Sequence, residues 1–272
     1  MLLIKITAGT LHPKLKFTIA ISNQKGGVGK TTTSINLGAC LAMSGMKTLI
    51  IDLDPQANAT SGLGLHIDSE YSIYRALMGE GASNGTIRST AVDNLQIISS
   101  DINLIGAEIE LLSMERREFM LKKVIESIPD DFDFVIIDCP PSLGILTVNG
   151  LTAANSVIIP LQTEYYALEG LKQLMDTIER IRGSYNPSLE IEGVLFTMYD
   201  GRTTLSNQVV QEVRAHYKSN IFKTVIPRNI RVSEAPSHGL PITMYDAKSK
   251  GADAYIDLAR ELITKHRDIL EK

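Results

Sequence analysis

The stretch Phe17-Thr18-Ile19-Ala20-Ile21-Ser22-Asn23-Gln24-Lys25-Gly26-Gly27-Val28-Gly29-Lys30-Thr31-Thr32 decides how the rest of the chain is read. An apolar run leads into a glycine-rich loop, and a helical pattern follows with Ile35, Leu37 and Leu41 beside Ala39 and Ala42. Strand, loop and helix in that order lay backbone N–H groups and a helix N-terminus around a phosphate. Glycines 26, 27 and 29 let the main chain bend tightly and approach the phosphates without a Cβ in the way. Val28 and Thr32 complete the loop; Lys30 can set a point charge on the β- and γ-phosphates, and Thr31 can give its hydroxyl to Mg²⁺. The loop departs from the common G-x-x-x-x-G-K-[ST] string. Gln24 stands at the first glycine position, and an extra lysine, Lys25, stands at the loop entrance. Lys25 leaves the loop on the side opposite Lys30, where it can reach a nucleotide held by a second subunit.

Two further apolar runs end in acid. Leu49-Ile50-Ile51-Asp52-Leu53-Asp54 is followed by Pro55-Gln56-Ala57-Asn58, and Phe134-Val135-Ile136-Ile137-Asp138 by Cys139-Pro140-Pro141-Ser142-Leu143-Gly144. Runs with so few polar residues are expected of parallel strands covered on both faces. Such sheets bind ligands at the carboxyl ends of their strands, which is where Asp52, Asp54 and Asp138 fall. Hydrolysis of a phosphoanhydride needs positioning and charge neutralisation more than covalent help. Asp138 is the candidate to hold Mg²⁺ through its water shell, and Asp54 to orient the attacking water. The stretches Asp54 to Gly64 and Asp138 to Gly144 read as two switch loops that order around a nucleotide.

The remaining segments alternate between strand and helix patterns. Residues 72–80 read as helical, Leu95–Ile98 as a short strand, and Glu108–Ser127 as one long helix. Ser156–Pro160 reads as a strand stopped by its proline, Ala167–Arg182 as an amphipathic helix and Ile191–Phe196 as a strand. Ser206–Tyr217 reads as a helix, Lys223–Ile226 as a strand, and Asp253–Ile269 as the closing helix. The expected fold is α/β, a mainly parallel twisted sheet with helices on both faces. Residues 16–272 are expected to form one domain, preceded by an extension, residues 1–15, whose role the sequence leaves open.

Composition bounds the alternatives. At 272 residues, 44% of them hydrophobic and 21% charged, the chain can bury a full core. No apolar stretch approaches the roughly 18 residues that span a bilayer, and Met1–Ile4, broken by Lys5, is a poor signal peptide. Cys40 and Cys139 lack metal-ligand spacing and read as small buried hydrophobes. These features predict a cytoplasmic protein. The net charge of −4 hides a local excess: residues 201–260 carry nine Lys/Arg against five acids. Local patches, rather than the global sum, set attraction to a phosphate backbone.

KGGVGKTTTSINLG, LIIDLDPQANATSGLG, FVIIDCPPSLGILT, EYYALEGL and TVIPRNIRVSEAPSHG occur in this order. In these segments the chain, from about Lys16 to Arg260, resembles the ParA/Soj family of chromosome and plasmid partition ATPases, within the MinD/ParA superfamily whose phosphate loop carries the extra lysine. The resemblance implies ATP and Mg²⁺ as ligands, a homodimer closed over two nucleotides, and slow hydrolysis stimulated by a ParB-like partner. It also implies non-specific binding to double-stranded DNA through Arg202 and Arg231, association with the nucleoid, and a place for Pro227 and Asn229 beside the adenine. The alternative is a MinD-like ATPase that cycles on membranes. That reading requires a C-terminal amphipathic helix with a basic face, whereas residues 260–272 carry mixed charges and apolar residues that fit core docking.

Overall fold

In the computed structural model, which describes residues 17–80, 85–128, 132–217 and 220–267, seven strands form one sheet. They are β1 (Phe17–Ile21), β2 (Thr48–Asp52), β3 (Ile87–Ser89), β4 (Leu95–Ile98), β5 (Phe134–Asp138), β6 (Ser156–Gln162) and β7 (Glu190–Thr197), in the order β3-β4-β2-β5-β1-β6-β7. Every pairing is parallel except that of the edge strand β3 with β4. The apolar runs account for this arrangement. All five residues of β2 and of β5 are buried, as strands covered on both faces must be. One core layer gathers Leu49, Ile51, Val135 and Ile137 with Leu171, Leu174 and Ile178; the opposite layer gathers Ile50 and Ile136 with Leu37, Leu41, Tyr255 and Leu262. The helices Lys30–Met43 and Lys250–Lys265 belong to the second layer, and Ala167–Ser184 to the first. The N-terminal extension expected over residues 1–15 lies outside the described residues.

Three local expectations are corrected. Pro160 does not end β6, which runs on to Gln162 and pairs Pro160 with Leu195. The carbonyl of Pro160 accepts a hydrogen bond from Asn23 Nδ2 at 2.7 Å. Its nitrogen points the same way, beyond the last β1 pairing at Ile158, so the missing N–H breaks no ladder bond. The long helix expected over 108–127 is two helices, Leu104–Leu111 and Met120–Ser127, with a 3₁₀ turn at Arg117–Phe119. Arg116, at φ 53°, reverses the backbone between them. Arg117 Nη1 covers the Leu112 carbonyl at 2.7 Å, and Asn149 Oδ1 accepts the Leu121 N–H at 3.0 Å, so side chains satisfy the helix ends that the break exposes. Lys223–Ile226 is no ladder strand either. The N–H groups of Lys223 and Thr224 donate to the Glu261 carboxylate at 2.8 and 3.0 Å, and the segment is flanked by two isolated bridges, Ile221 to Val194 of β7 and Pro227 to Tyr199 just beyond it.

At the end of the sheet away from the phosphate loop lies a buried carboxylate, Glu192. Glu192 accepts from Ser156 Oγ at 2.6 Å, lies 2.9 Å from His266 Nε2 and 2.7 Å from Lys265 Nζ, and thereby pins the last helical turn to β6 and β7. Burial alone would push its carboxyl up, but the hydrogen bonds from His266, Lys265 and Ser156 outweigh it and bring it down to about 2. A depressed carboxylate stabilises the fold above its unfolded value near 4.5 and loses that stabilisation as pH falls toward about 2. Glu192→Ala is therefore expected to cost about 2 kcal/mol at neutral pH, because it leaves the buried Ser156 hydroxyl and His266 ring nitrogen without their partner. It should also flatten the pH dependence of stability between 4.5 and about 2. Urea midpoints across that range test both, and a midpoint unchanged at neutral pH would refute the role.

Candidate functional site

The loop between β1 and the helix Lys30–Met43 is held open by its own side chains and its neighbours. Asn23 Oδ1 accepts the Lys25 N–H at 3.0 Å, and Thr197 Oγ1, at the end of β7, donates to the Val28 carbonyl at 2.8 Å. Gly27 and Gly29 sit at φ 74° and 88°, a region that favours glycine. A Cβ on Gly26 or Gly27 would meet nothing within 4 Å, so space stands beside the loop where a phosphate would lie. Lys30 is buried and donates from Nζ to the Lys25 carbonyl at 2.9 Å. Burial lowers its pKa, partly offset by Asp138.

A cavity of about 570 Å³ opens over this loop. Gly27, Gly29, Lys30, Thr31 and Thr32 form its floor, Asp54 and Pro141 of the two expected switch loops enter it, and Met198, Val232 and Pro236 close the far wall. The acids that end β2 and β5 take distinct positions. Asp52 and Asp138 are register partners on neighbouring strands and are fully buried. Burial raises both carboxyls, and their mutual charge raises Asp138 further. Asp138 Oδ1 accepts from Ser34 Oγ at 2.8 Å, whereas the buried Oδ2 has no hydrogen-bond partner. An orphaned carboxylate oxygen near a threonine hydroxyl and a lysine suits a hydrated Mg²⁺. Asp54 lines the cavity, its Oδ1 accepting from the Gln56 N–H at 3.0 Å.

Several features of the site have no motif signature. Asp52 anchors the first switch loop: its Oδ2 accepts from the N–H and Oγ1 of Thr60 at 2.9 and 2.7 Å. Ser100, after β4, donates to the Asp54 carbonyl at 2.6 Å. Ala57, at φ 53°, holds an uncommon backbone conformation for a residue with a Cβ at the entry to the helix Asn58–Gly62. The backbone of Gly239 passes so close to Gly64 that a Cβ would lie 2.6 Å from its Cα, which ties the 233–239 segment to the first switch loop. Lys25 reaches Glu164 of its own chain in an ion pair. Pro227 lines an adjoining cleft with Tyr199, Arg202, Arg228 and Lys250, rather than the cavity over the loop. Asn229 Oδ1 accepts the Arg231 N–H at 2.8 Å and so caps the helix Ile230–Glu234.

Arg202 and Arg231 lie on the wall beside the cavity, and each is held by acids that the motifs do not reveal. Asp200 grips Arg202 from Nε and Nη2 at 2.8 and 2.6 Å. Glu234 and Asp246 lie 2.9 and 3.7 Å from Arg231. The Arg202 side chain is nonetheless 89% exposed and that of Arg231 57%, so both remain open to an approaching polyanion. The cysteines are the reverse. Burial pushes the Cys40 thiol up to about 12 and raises Cys139, which packs toward Gly150. Neither is expected to react with a thiol reagent until the chain is denatured; rapid labelling of the native protein would contradict that.

A family model described as an AAA domain matches residues 16–191. The sporulation initiation inhibitor protein Soj of Bacillus subtilis (strain 168) is 55% identical over 90% of this chain and 97% of its own. The chromosome-partitioning protein ParA of Caulobacter vibrioides is 52% identical over 92% of this chain and 95% of its own. Among solved structures, cobyrinic acid a,c-diamide synthase from Mycobacterium smegmatis, with an ATP analogue and magnesium bound, superposes with a TM-score of 0.82. It is 39% identical, over 93% of this chain and 96% of that one. With the lysine-bearing phosphate loop, the two acid-ended strands and this degree of identity, the chain belongs to the Soj/ParA family of chromosome-partitioning ATPases.

Proposed function

We propose that this protein is an ATP-driven dimer switch that binds non-specific duplex DNA and is reset by a ParB-like partner. One observation supports it most: each arginine is chained directly to the cavity wall. Met198 and Val232 line the cavity, and Arg202 and Arg231 stand four residues and one residue away from them. Ordering of that wall by a nucleotide would be felt at both cations.

The chemistry follows from the residues. Lys30 exchanges the Lys25 carbonyl for β- and γ-phosphate oxygens, and Thr31 gives its hydroxyl to the metal. Mg²⁺, held by the Thr31 hydroxyl and through water by Asp138, would neutralise charge on the phosphates. Asp138 would hold the metal's water through Oδ2, and the ion's charge would favour the carboxylate form. Asp54 aligns the attacking water with the γ-phosphate. Lys25 leaves Glu164 and crosses to the phosphates of the second subunit, so closure requires ATP. Two copies of Arg202 and Arg231 then share one surface. Doubling the phosphate contacts roughly adds their salt-dependent free energies, which turns a weak binder into a useful one. The expected setting is the cytoplasm, on the nucleoid.

The membrane-cycling alternative finds little support. No described helix is long and apolar enough to cross a membrane, and the C-terminal helix buries Tyr255, Leu258, Leu262 and Ile263 in the core. The Arg202→Ala/Arg231→Ala double variant is the test of the DNA surface. Both side chains are exposed, so it should fold, dimerise with ATP and hydrolyse as the parent does. It should lose about tenfold or more in retention on non-specific duplex and show a shallower salt slope. Parent-like retention would move the DNA surface elsewhere.

A further inference from the structure

The first switch loop is braced from a strand that carries no motif. Ser100 follows β4, the neighbour of β2 in the sheet. Its hydroxyl donates to the Asp54 carbonyl at 2.6 Å, and its N–H donates to Thr60 Oγ1 at 3.1 Å. Thr60 Oγ1 in turn donates to Asp52 Oδ2 at 2.7 Å, and Asp52 Oδ1 accepts the Asp54 N–H at 3.2 Å. These four contacts close a ring through Asp52, Thr60, Ser100 and Asp54. The first three residues are fully buried and Asp54 is 8% exposed. A backbone N–H can only donate and a backbone carbonyl only accept, so each hydroxyl in the ring has a set direction. Turning either one would leave a buried polar group unpaired. The Asp54 carbonyl also accepts the Ala57 N–H at 2.9 Å, and Asp54 Oδ1 accepts the Gln56 N–H. Of these bonds to Asp54, those from Gln56 and Ala57 shape the turn and travel with it, and Asp52 lies only two residues away. The Ser100 hydroxyl ties the turn to a different strand.

We infer that Ser100 is a positioning residue for hydrolysis, holding Asp54 where its carboxylate meets the attacking water; the inference rests on the reading of Asp54 given above. Ser100 does not line the cavity, so it acts through Asp54 and touches neither nucleotide nor water. Without its hydroxyl, the turn at Asp54–Ala57 keeps its own bonds and loses its tie to the end of β4. The carboxylate is then free to swing, and the water is aligned for a smaller share of the time. Misplacement of this kind lowers the rate of the chemical step, whereas the phosphate loop that binds the nucleotide is untouched.

The test is single-turnover phosphate release from the full chain with ATP and Mg²⁺, read beside the affinity for a fluorescent ATP analogue. Ser100→Ala is expected to release phosphate about tenfold more slowly than the parent and to bind the analogue within about twofold of it. Thr60→Val, which opens the ring at its other hydroxyl with little change of shape, should act in the same direction. A double-mutant cycle separates positioning from a general loosening of the fold. In an Asp54→Ala background neither substitution should slow release any further, because the carboxylate they position is gone. Parent-like release by Ser100→Ala overturns the inference, as does parent-like release by Thr60→Val where Ser100→Ala does not fold. Slowing of Asp54→Ala by the same factor as the parent also overturns it. Parent-like release by Asp54→Ala itself overturns the reading beneath the inference.

Discussion

The Asp54→Ala protein is expected to bind ATP, dimerise and stay on DNA while releasing phosphate about a hundredfold or more slowly than the parent, the range seen when a proton-handling or water-positioning group is lost. The expectation rests on placement. Asp54 is nearly buried and lines the cavity above the phosphate loop, its orientation set by the Gln56 N–H and the Ser100 hydroxyl. Asp52, two residues earlier, cannot substitute, because both of its oxygens are committed to the Asp54 and Thr60 backbone and the Thr60 hydroxyl. Asp52→Ala should fail differently. It would free the Thr60 N–H and hydroxyl in a buried site and loosen the loop, lowering stability as well as turnover. Single-turnover phosphate release with a melting curve separates the two. Parent-like release by Asp54→Ala would assign the water to another residue.

Lys25→Ala is expected to give the second large effect, loss of the ATP-dependent dimer with ATP binding kept. Lys30 supplies the lysine charge within the subunit, and Lys25 points away from it to Glu164. That ion pair is half exposed and worth little, so a second subunit's phosphates can outbid Glu164 for the cation. Light scattering with ATP should show monomer for Lys25→Ala and dimer for the parent, while nucleotide titrations agree within a few-fold. A stable Lys25→Ala dimer would refute the crossing role. Glu164→Gln, by contrast, should dimerise at least as readily as the parent.

Most of what positions the site was legible because it is local. Apolar runs ending in acid, a glycine loop between strand and helix, and paired prolines after Asp138 are readable from neighbours in the chain. What escaped reading is long-range. Pro160 reads as a strand end until Asn23 is seen to occupy its open side. The 108–127 pattern reads as one helix until Asn149 supplies a cap from elsewhere. Lys223–Ile226 has strand composition, yet Glu261 takes the N–H groups a ladder would need. The acids on Arg202 and Arg231 follow the same logic: Asp200 and Glu234 are near in sequence, but only the fold brings Asp246 to Arg231.

The most direct test of the account is retention of the parent protein on non-specific duplex with ATP, ADP and no nucleotide, across a salt series. The account expects retention with ATP alone, falling steeply as salt rises in proportion to the phosphates contacted. Equal retention in all three states, or none in any, would contradict the coupling of the nucleotide cavity to Arg202 and Arg231.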